Sequence, residues 1–171
     1  MNQPKKAVFI IAQNNFRDEE YFVPRRIFEK NNIRVTLASS ALKPARGMLG
    51  AVVQPDILLG QINVADYDAI VFIGGSGSAQ YWHDQQAQKI AVDAVAQGKV
   101  LAALCLAPVT LANAGVLTGK KCTVWPSERG QLEARGGVTT GRDLEIDGKI
   151  ITASGPEAAE KFGQAIVNKL E

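Results

Sequence analysis

Short, continuous apolar runs recur along the chain, and polar or glycine-rich stretches separate them. Residues 7–12 read AVFIIA, an unbroken run rich in β-branched side chains. Such a run is the mark of a strand buried on both faces. The pattern returns at residues 33–39 (IRVTLAS), 69–75 (AIVFIGG), 100–104 (VLAAL) and 121–125 (KCTVW). Shorter extended pieces are expected near Val52-Val53 and Ile57-Leu58.

Helical spacing fills the intervals. From Asp18 onward, Phe22, Ile27 and Phe28 stand at roughly helical spacing, and Asp18, Glu19 and Glu20 complement the dipole of a first turn. Pro24 inside this segment predicts a late start or a kink, and Asn31-Asn32 ends it. Residues 79–97 read as one helix, and residues 108–114 as another that Gly115 stops. Asp147-Gly148 between two apolar runs signals a hairpin over residues 144–152. Residues 157–170 form a closing amphipathic helix, with Ala158, Phe162, Ala165, Ile166 and Leu170 on one side. Strands alternating with helices predict an α/β, doubly wound, mainly parallel sheet covered on both faces. Ligands bind such sheets beyond the carboxyl ends of the strands, which draws attention to Gly74-Gly75 and to Leu104-Cys105.

Composition narrows the picture. A length of 171 residues fits one domain, residues 1–171. Aromatics are only 6%, so the core must be built from Val, Ile, Leu and Ala. A net charge of +2 with no basic run gives no basis for a nucleic-acid or membrane partner. The start, MNQPKKAVFIIAQ, has too short an apolar run for a secretory signal, and no stretch approaches a membrane span. A cytoplasmic protein is expected. Two cysteines, Cys105 and Cys122, are too few for a disulfide scaffold and match neither a zinc site nor a CxxC pair. With His83 the only histidine, no metal and no cofactor is expected.

The strand 100–104 runs directly into Cys105, and Pro108 follows where a first helical turn begins. Cys105 should therefore sit on a sharp strand-to-helix turn that exposes its side chain, as a nucleophile elbow does. A helix N-terminus stabilises a negative charge by about 0.3–1 kcal/mol, less than one pKa unit for a thiol. Further donors are needed, and the backbone N–H groups of Gly74-Gly75 could form an oxyanion hole. On this pattern alone Cys105 is equally well a small buried hydrophobe. Cys122, inside a strand, reads as structural.

The segment AALCLAPVTLANAGVLTGKKCTVW resembles the elbow of the DJ-1/PfpI family. FRDEEYFVPRRIFEKNNIRVTLAS resembles that family's first helix and second strand, and YDAIVFIGG its glycine-ended strand. LEARGGV and DGKIITASGPEAAEKFGQAIV resemble its last strands and helix. The resemblance implies a flavodoxin-like, glutamine-amidotransferase-like sandwich and a homodimer. It implies that Cys105 is the reactive cysteine and Glu20 the acid that meets it. It also implies that backbone N–H groups of Gly74, Gly75 and Leu106 face an oxyanion. Glu20 helps only when protonated, because an ionised carboxylate would raise the thiol pKa. Without the resemblance, Glu20 reads as one of three exposed acids in a first turn.

The chain departs from the family in informative places. The peptidase-like branch has His after the cysteine and Glu four residues after the second glycine; Leu106 and Ala79 stand there. A nucleophile without a base turns over poorly, which argues against an intracellular cysteine peptidase. Trp125 stands where the DJ-1 branch often shows a His. His83 is the remaining imidazole, either a site residue reaching in from the same or the partner chain or a surface residue at a helix start. Tyr81 and Trp82 line either the cleft or the dimer interface. The resemblance implies action on small reactive carbonyls, glyoxalase- or deglycase-like, with Cys105 as nucleophile. The alternatives are a redox sensor or chaperone-like stress protein acting through Cys105 oxidation, and a member with no active site.

Overall fold

Cross-strand alternation fixes which face each side chain occupies. Phe9 and Ile11 enter one apolar cluster while Val8 and Ile10 enter another, as the two-residue period of a strand requires. The computed structural model of the chain describes residues 3–171, so Met1 and Asn2 of the N-terminal stretch lie outside the described residues.

The first half of the chain forms β1 (Lys6–Ile10), β2 (Asn14–Phe16), α1 (Asp18–Lys30), β3 (Arg34–Ser39), β4 (Ala45–Gly47), β5 (Val52–Val53), β6 (Ile57–Leu58) and β7 (Ala69–Phe72). Then come α2 (Gln85–Ala96), β8 (Val100–Leu104), α3 (Pro108–Asn113), β9 (Lys121–Cys122), α4 (Arg129–Ala134), β10 (Val138–Thr139), β11 (Leu144–Asp147), β12 (Ile150–Ala153) and α5 (Ala159–Leu170). Seven strands form the main sheet in the order β11-β12-β8-β7-β1-β3-β6. All neighbours in it are parallel except β11 against β12, which form the expected hairpin. This is the doubly wound α/β, flavodoxin-like fold. Phe28 of α1 and Phe162 of α5 pack on one face of the sheet, and Ile90 of α2, Leu111 of α3 and Leu132 of α4 on the other.

The chain leaves β1 for β3 on one side and returns to β7 on the other. The strand order reverses there, so a crevice opens beyond the carboxyl ends of β1 and β7. β8 lies next to β7, and its carboxyl end carries Cys105.

Several elements differ from the sequence reading. α1 begins at Asp18 and runs through Pro24, with no late start. The buried face of Glu20, Tyr21, Pro24 and Phe28 outweighs the single N–H that proline lacks. The helix expected over residues 79–97 is divided. A 3-10 segment spans Ser76–Tyr81, and α2 starts at Gln85 with the Asp84 carboxylate accepting the Ala87 N–H at 2.9 Å. The strand expected over residues 121–125 stops at Cys122, because the Thr123 N–H turns to the Thr152 hydroxyl at 3.0 Å. β2, β4, β10 and α4 were absent from the sequence reading.

Candidate active site

Cys105 has a φ of 63°, one of three non-glycine residues in the left-handed region among the described residues. That conformation costs an L-residue about 1–2 kcal/mol and persists only where its surroundings enforce it. Here several neighbouring backbone groups are tied. The Cys105 N–H donates to Ala153 O at 2.9 Å, and its carbonyl accepts the Trp125 N–H at 2.9 Å. The Ala107 N–H closes the turn onto Leu104 O at 3.1 Å. The Trp82 indole Nε1 donates to Leu106 O at 2.9 Å, pinning the next residue. Trp82 is itself held, its carbonyl accepting from the Asn113 and Gln88 side chains. The result is a strained strand-to-helix turn with Cys105 only 7% exposed.

Glu20 arrives from the first turn of α1 and is 0% exposed. Gly74 makes its approach possible. A Cβ at Gly74 would collide with Glu20 Oε1 and the Leu104 carbonyl and lie 2.5 Å from Cys105 Cβ. The Arg17 N–H donates to Gly74 O at 2.9 Å, fixing the start of α1 on the end of β7. Gly75 then turns with a φ of 105°. The acid, the thiol and the glycine pair expected from sequence are thus brought together.

Their electrostatics follow from burial. Neither Glu20 oxygen reaches hydrogen-bond geometry with a partner among the described residues. Burial pushes the Glu20 carboxyl up to about 8, against the opposing pull of the Cys105 thiol, the Gly74 N–H and the Arg17 charge. Burial first, then the Glu20 charge, push the Cys105 thiol up to about 12, against the Gly75 and Leu106 N–H groups. α3 has only six residues, and no helix-end contribution overcomes the burial of the thiol. The Glu20 share of that rise belongs to its ionised form; once protonated, the carboxyl stops repelling a thiolate and can donate to it. The two groups titrate as one coupled pair. Near neutral pH the resting pair is a carboxylic acid facing a thiol.

Asp18 and Arg17 were not singled out for the site by the sequence reading. Asp18 is buried and its carboxylate accepts the Leu49 and Ala51 N–H groups at 3.0 and 2.9 Å, docking the β4–β5 loop on α1. Arg17 bonds Glu19 through Nε and Nη2 at 2.6 and 3.2 Å, and its charge is felt by Glu20 and Cys105. A cation immediately before three acids was the available signal. With Trp125, Pro126, Ser127, Ser154 and Gly155, Arg17 lines an open cleft of about 650 Å³ next to the elbow.

The remaining candidates fall elsewhere. His83 is exposed in the turn before α2, and its imidazole makes no hydrogen bond among the described residues. Tyr81 is buried, its hydroxyl donating to Ile11 O at 2.8 Å. Cys122 is fully buried in the second apolar cluster, where burial pushes its thiol up to about 11. Among the described residues no three His, Cys, Asp or Glu side chains are grouped to hold a metal. No described helix is long and apolar enough to cross a membrane.

Comparison with known proteins bears on this geometry. The model of the DJ-1/PfpI family matches residues 5–169. An uncharacterized protein of Methanocaldococcus jannaschii is 37% identical over 169 residues, covering 97% of this chain and 82% of the relative. A Pyrococcus horikoshii protein named as a deglycase is 28% identical, over 88% of this chain and 90% of the relative. The crystal structure of a ThiJ/PfpI domain protein from Brachyspira murdochii superposes with a TM-score of 0.96 at 27% identity, covering 99% of this chain and 98% of that one.

Proposed function

This chain belongs to the DJ-1/PfpI family, and from that premise we propose that it converts small reactive carbonyl compounds at Cys105, with Glu20 carrying protons. The observation that supports this most is the fully buried Glu20 carboxyl, held protonated near neutral pH beside a thiol on a strained elbow. A buried acid with a pKa near the working pH both gives and takes protons efficiently. The name of the Pyrococcus relative points to the same substrate class.

The chemistry is an internal redox exchange. The Cys105 sulfur adds to the aldehyde carbon of a 2-oxo aldehyde; a C–S bond forms and the carbonyl π pair moves to oxygen, which takes the thiol's proton through Glu20. The Gly75 and Leu106 N–H groups face the sulfur and so lie near the developing oxyanion. The step uses the ionised fraction of Glu20, in which the pair has already released one proton to solvent: the carboxylate accepts the C–H proton of the adduct and returns it to the neighbouring carbon, while the adduct's O–H proton passes to the neighbouring oxygen. That oxidises the first carbon to a thioester and reduces the second to an alcohol. Water cleaves the C–S bond, releasing a 2-hydroxy acid and restoring the thiol, with no external oxidant. Purified protein should convert methylglyoxal to lactate. Cys105→Ser should be inactive, and Glu20→Gln should lose about 10²–10⁴-fold in kcat. Undiminished turnover by Cys105→Ser would overturn the proposal.

A second reading rests on the same protonated carboxyl. Peroxide would oxidise the Cys105 sulfur by two oxygens to a sulfinate, which Glu20 and the backbone donors would hold. Intact mass after mild peroxide treatment separates the two readings: a two-oxygen gain at Cys105 without carbonyl turnover favours the sensor. A homodimer belongs to both readings. It is supported by a clustered apolar surface: Phe22 stands one turn beyond Asp18, and Asp18 holds the loop that presents Met48 and Leu49. A cytoplasmic protein with no nucleic-acid or membrane partner completes the proposal, in keeping with a net charge of only +2.

A further inference from the structure

Trp125 is a large apolar side chain left 44% exposed, one hydrogen bond from the elbow through its N–H to Cys105 O. Its ring has a built seat. A Cβ at Gly155 would lie 3.0 Å from Trp125 Cζ3 and 3.1 Å from Cε3, so the edge of the indole's six-membered ring rests against bare backbone. Pro126 and Pro156 flank it and stiffen the cleft walls. At the elbow end of the same cleft stands Arg17, whose Nη1 has no hydrogen-bond partner among the described residues. An apolar platform and a cation with a free donor thus share one cleft, which the Trp125 N–H ties to the Cys105 carbonyl. Asp143 and Glu157 line it as well, so the cleft is no general anion trap.

We propose that Trp125 is a specificity-determining residue that selects 2-oxo compounds bearing an aromatic ring. The ring of the ligand stacks on the exposed indole, its oxygens turn toward Arg17, and its carbonyl carbon lies toward Cys105. Offset stacking of this kind gives an advantage of about tenfold over a methyl group at the same position. The inference rests on the carbonyl chemistry proposed above for its substrate, an arylglyoxal. The binding half of it stands without turnover.

The test therefore reads binding and turnover separately. Benzoylformate and pyruvate serve as unreactive probes, compared by how well each protects Cys105 from iodoacetamide. Benzoylformate should protect at concentrations about tenfold lower than pyruvate in the wild type. Trp125→Ala should lose that margin, and Trp125→Phe should keep most of it. The ratio of kcat/KM for phenylglyoxal over methylglyoxal should follow the same order. Equal protection by the two probes, or a margin that survives in Trp125→Ala, overturns the proposal. Protection with the expected margin but no turnover of either aldehyde would sink the carbonyl chemistry and leave the aromatic subsite standing. Turnover with a substrate ratio unchanged in Trp125→Ala would do the reverse.

Discussion

Asp18, Glu19 and Glu20 occupy one turn of helix and meet three different environments. Asp18 is buried but satisfied by two backbone N–H groups, and Glu19 pairs with Arg17 near the surface. Glu20 is buried without a hydrogen-bond partner, and its pKa rises from 4.5 to about 8. The sign of the stability effect follows. Between those two values the folded chain keeps a proton that the unfolded chain has released. Stability due to Glu20 is therefore full below 4.5 and is lost as the pH rises through about 8. Glu20→Gln has no such proton to lose. Thermal melts from pH 5 to pH 9 should show the wild type losing more stability toward alkaline pH than Glu20→Gln, and parallel curves would refute the assignment. The sequence could not separate the three acids. A helical first turn explains acids in general, whereas burial of the third depends on where β7 ends and on Gly74 beneath it.

At the scale of elements, the site is made where β7, β8 and the start of α1 converge. Gly74 is the point of contact, and an added methyl meets the Leu104 carbonyl, which is backbone and cannot swing aside. Gly74→Ala should cost about 1–3 kcal/mol in urea unfolding and should slow Cys105 alkylation or turnover together with it. Wild-type stability in that variant would mean the three elements are not packed as described. The central strands were legible in sequence because both of their faces are buried, which leaves unbroken apolar runs such as VLAAL. The elbow was legible for a related reason, since an apolar strand ran straight into Cys105 and Pro108. What escaped was short and edge-bound. β2 and β4 are three residues each, with polar Asn14 and Arg46 among them. α4 buries only Leu132 and so shows no period. The division of residues 79–97 was written in Asp84, an N-cap residue that a long helical reading absorbed.

At the scale of the whole molecule, the reversal of strand order between β1 and β7 opens the crevice, and part of the exposed apolar surface lies near it, where the Ser76 N–H meets Met48 Sδ at 3.5 Å. Phe22, Met48, Leu49 and Val52 are all exposed. A proposed homodimer would cover them, and Leu49→Asp should then sediment as a monomer while the wild type sediments as a dimer. A monomeric wild type would remove the dimer from the account. Only the intact fold brings Glu20 from α1 to Cys105 after β8, so the pair itself is the most direct subject for measurement. The rate of Cys105 alkylation by iodoacetamide should be followed from pH 5 to pH 11 by mass spectrometry, for the wild type and Glu20→Gln. The coupled pair predicts an inflexion near pH 8 in the wild type, where the pair loses its first proton, followed by a shoulder before the thiol's own ionisation. Glu20→Gln should rise without that inflexion. Two superimposable profiles with a single ordinary thiol midpoint of about 8.5 would contradict the account, because Cys105 would then titrate as though Glu20 were not there.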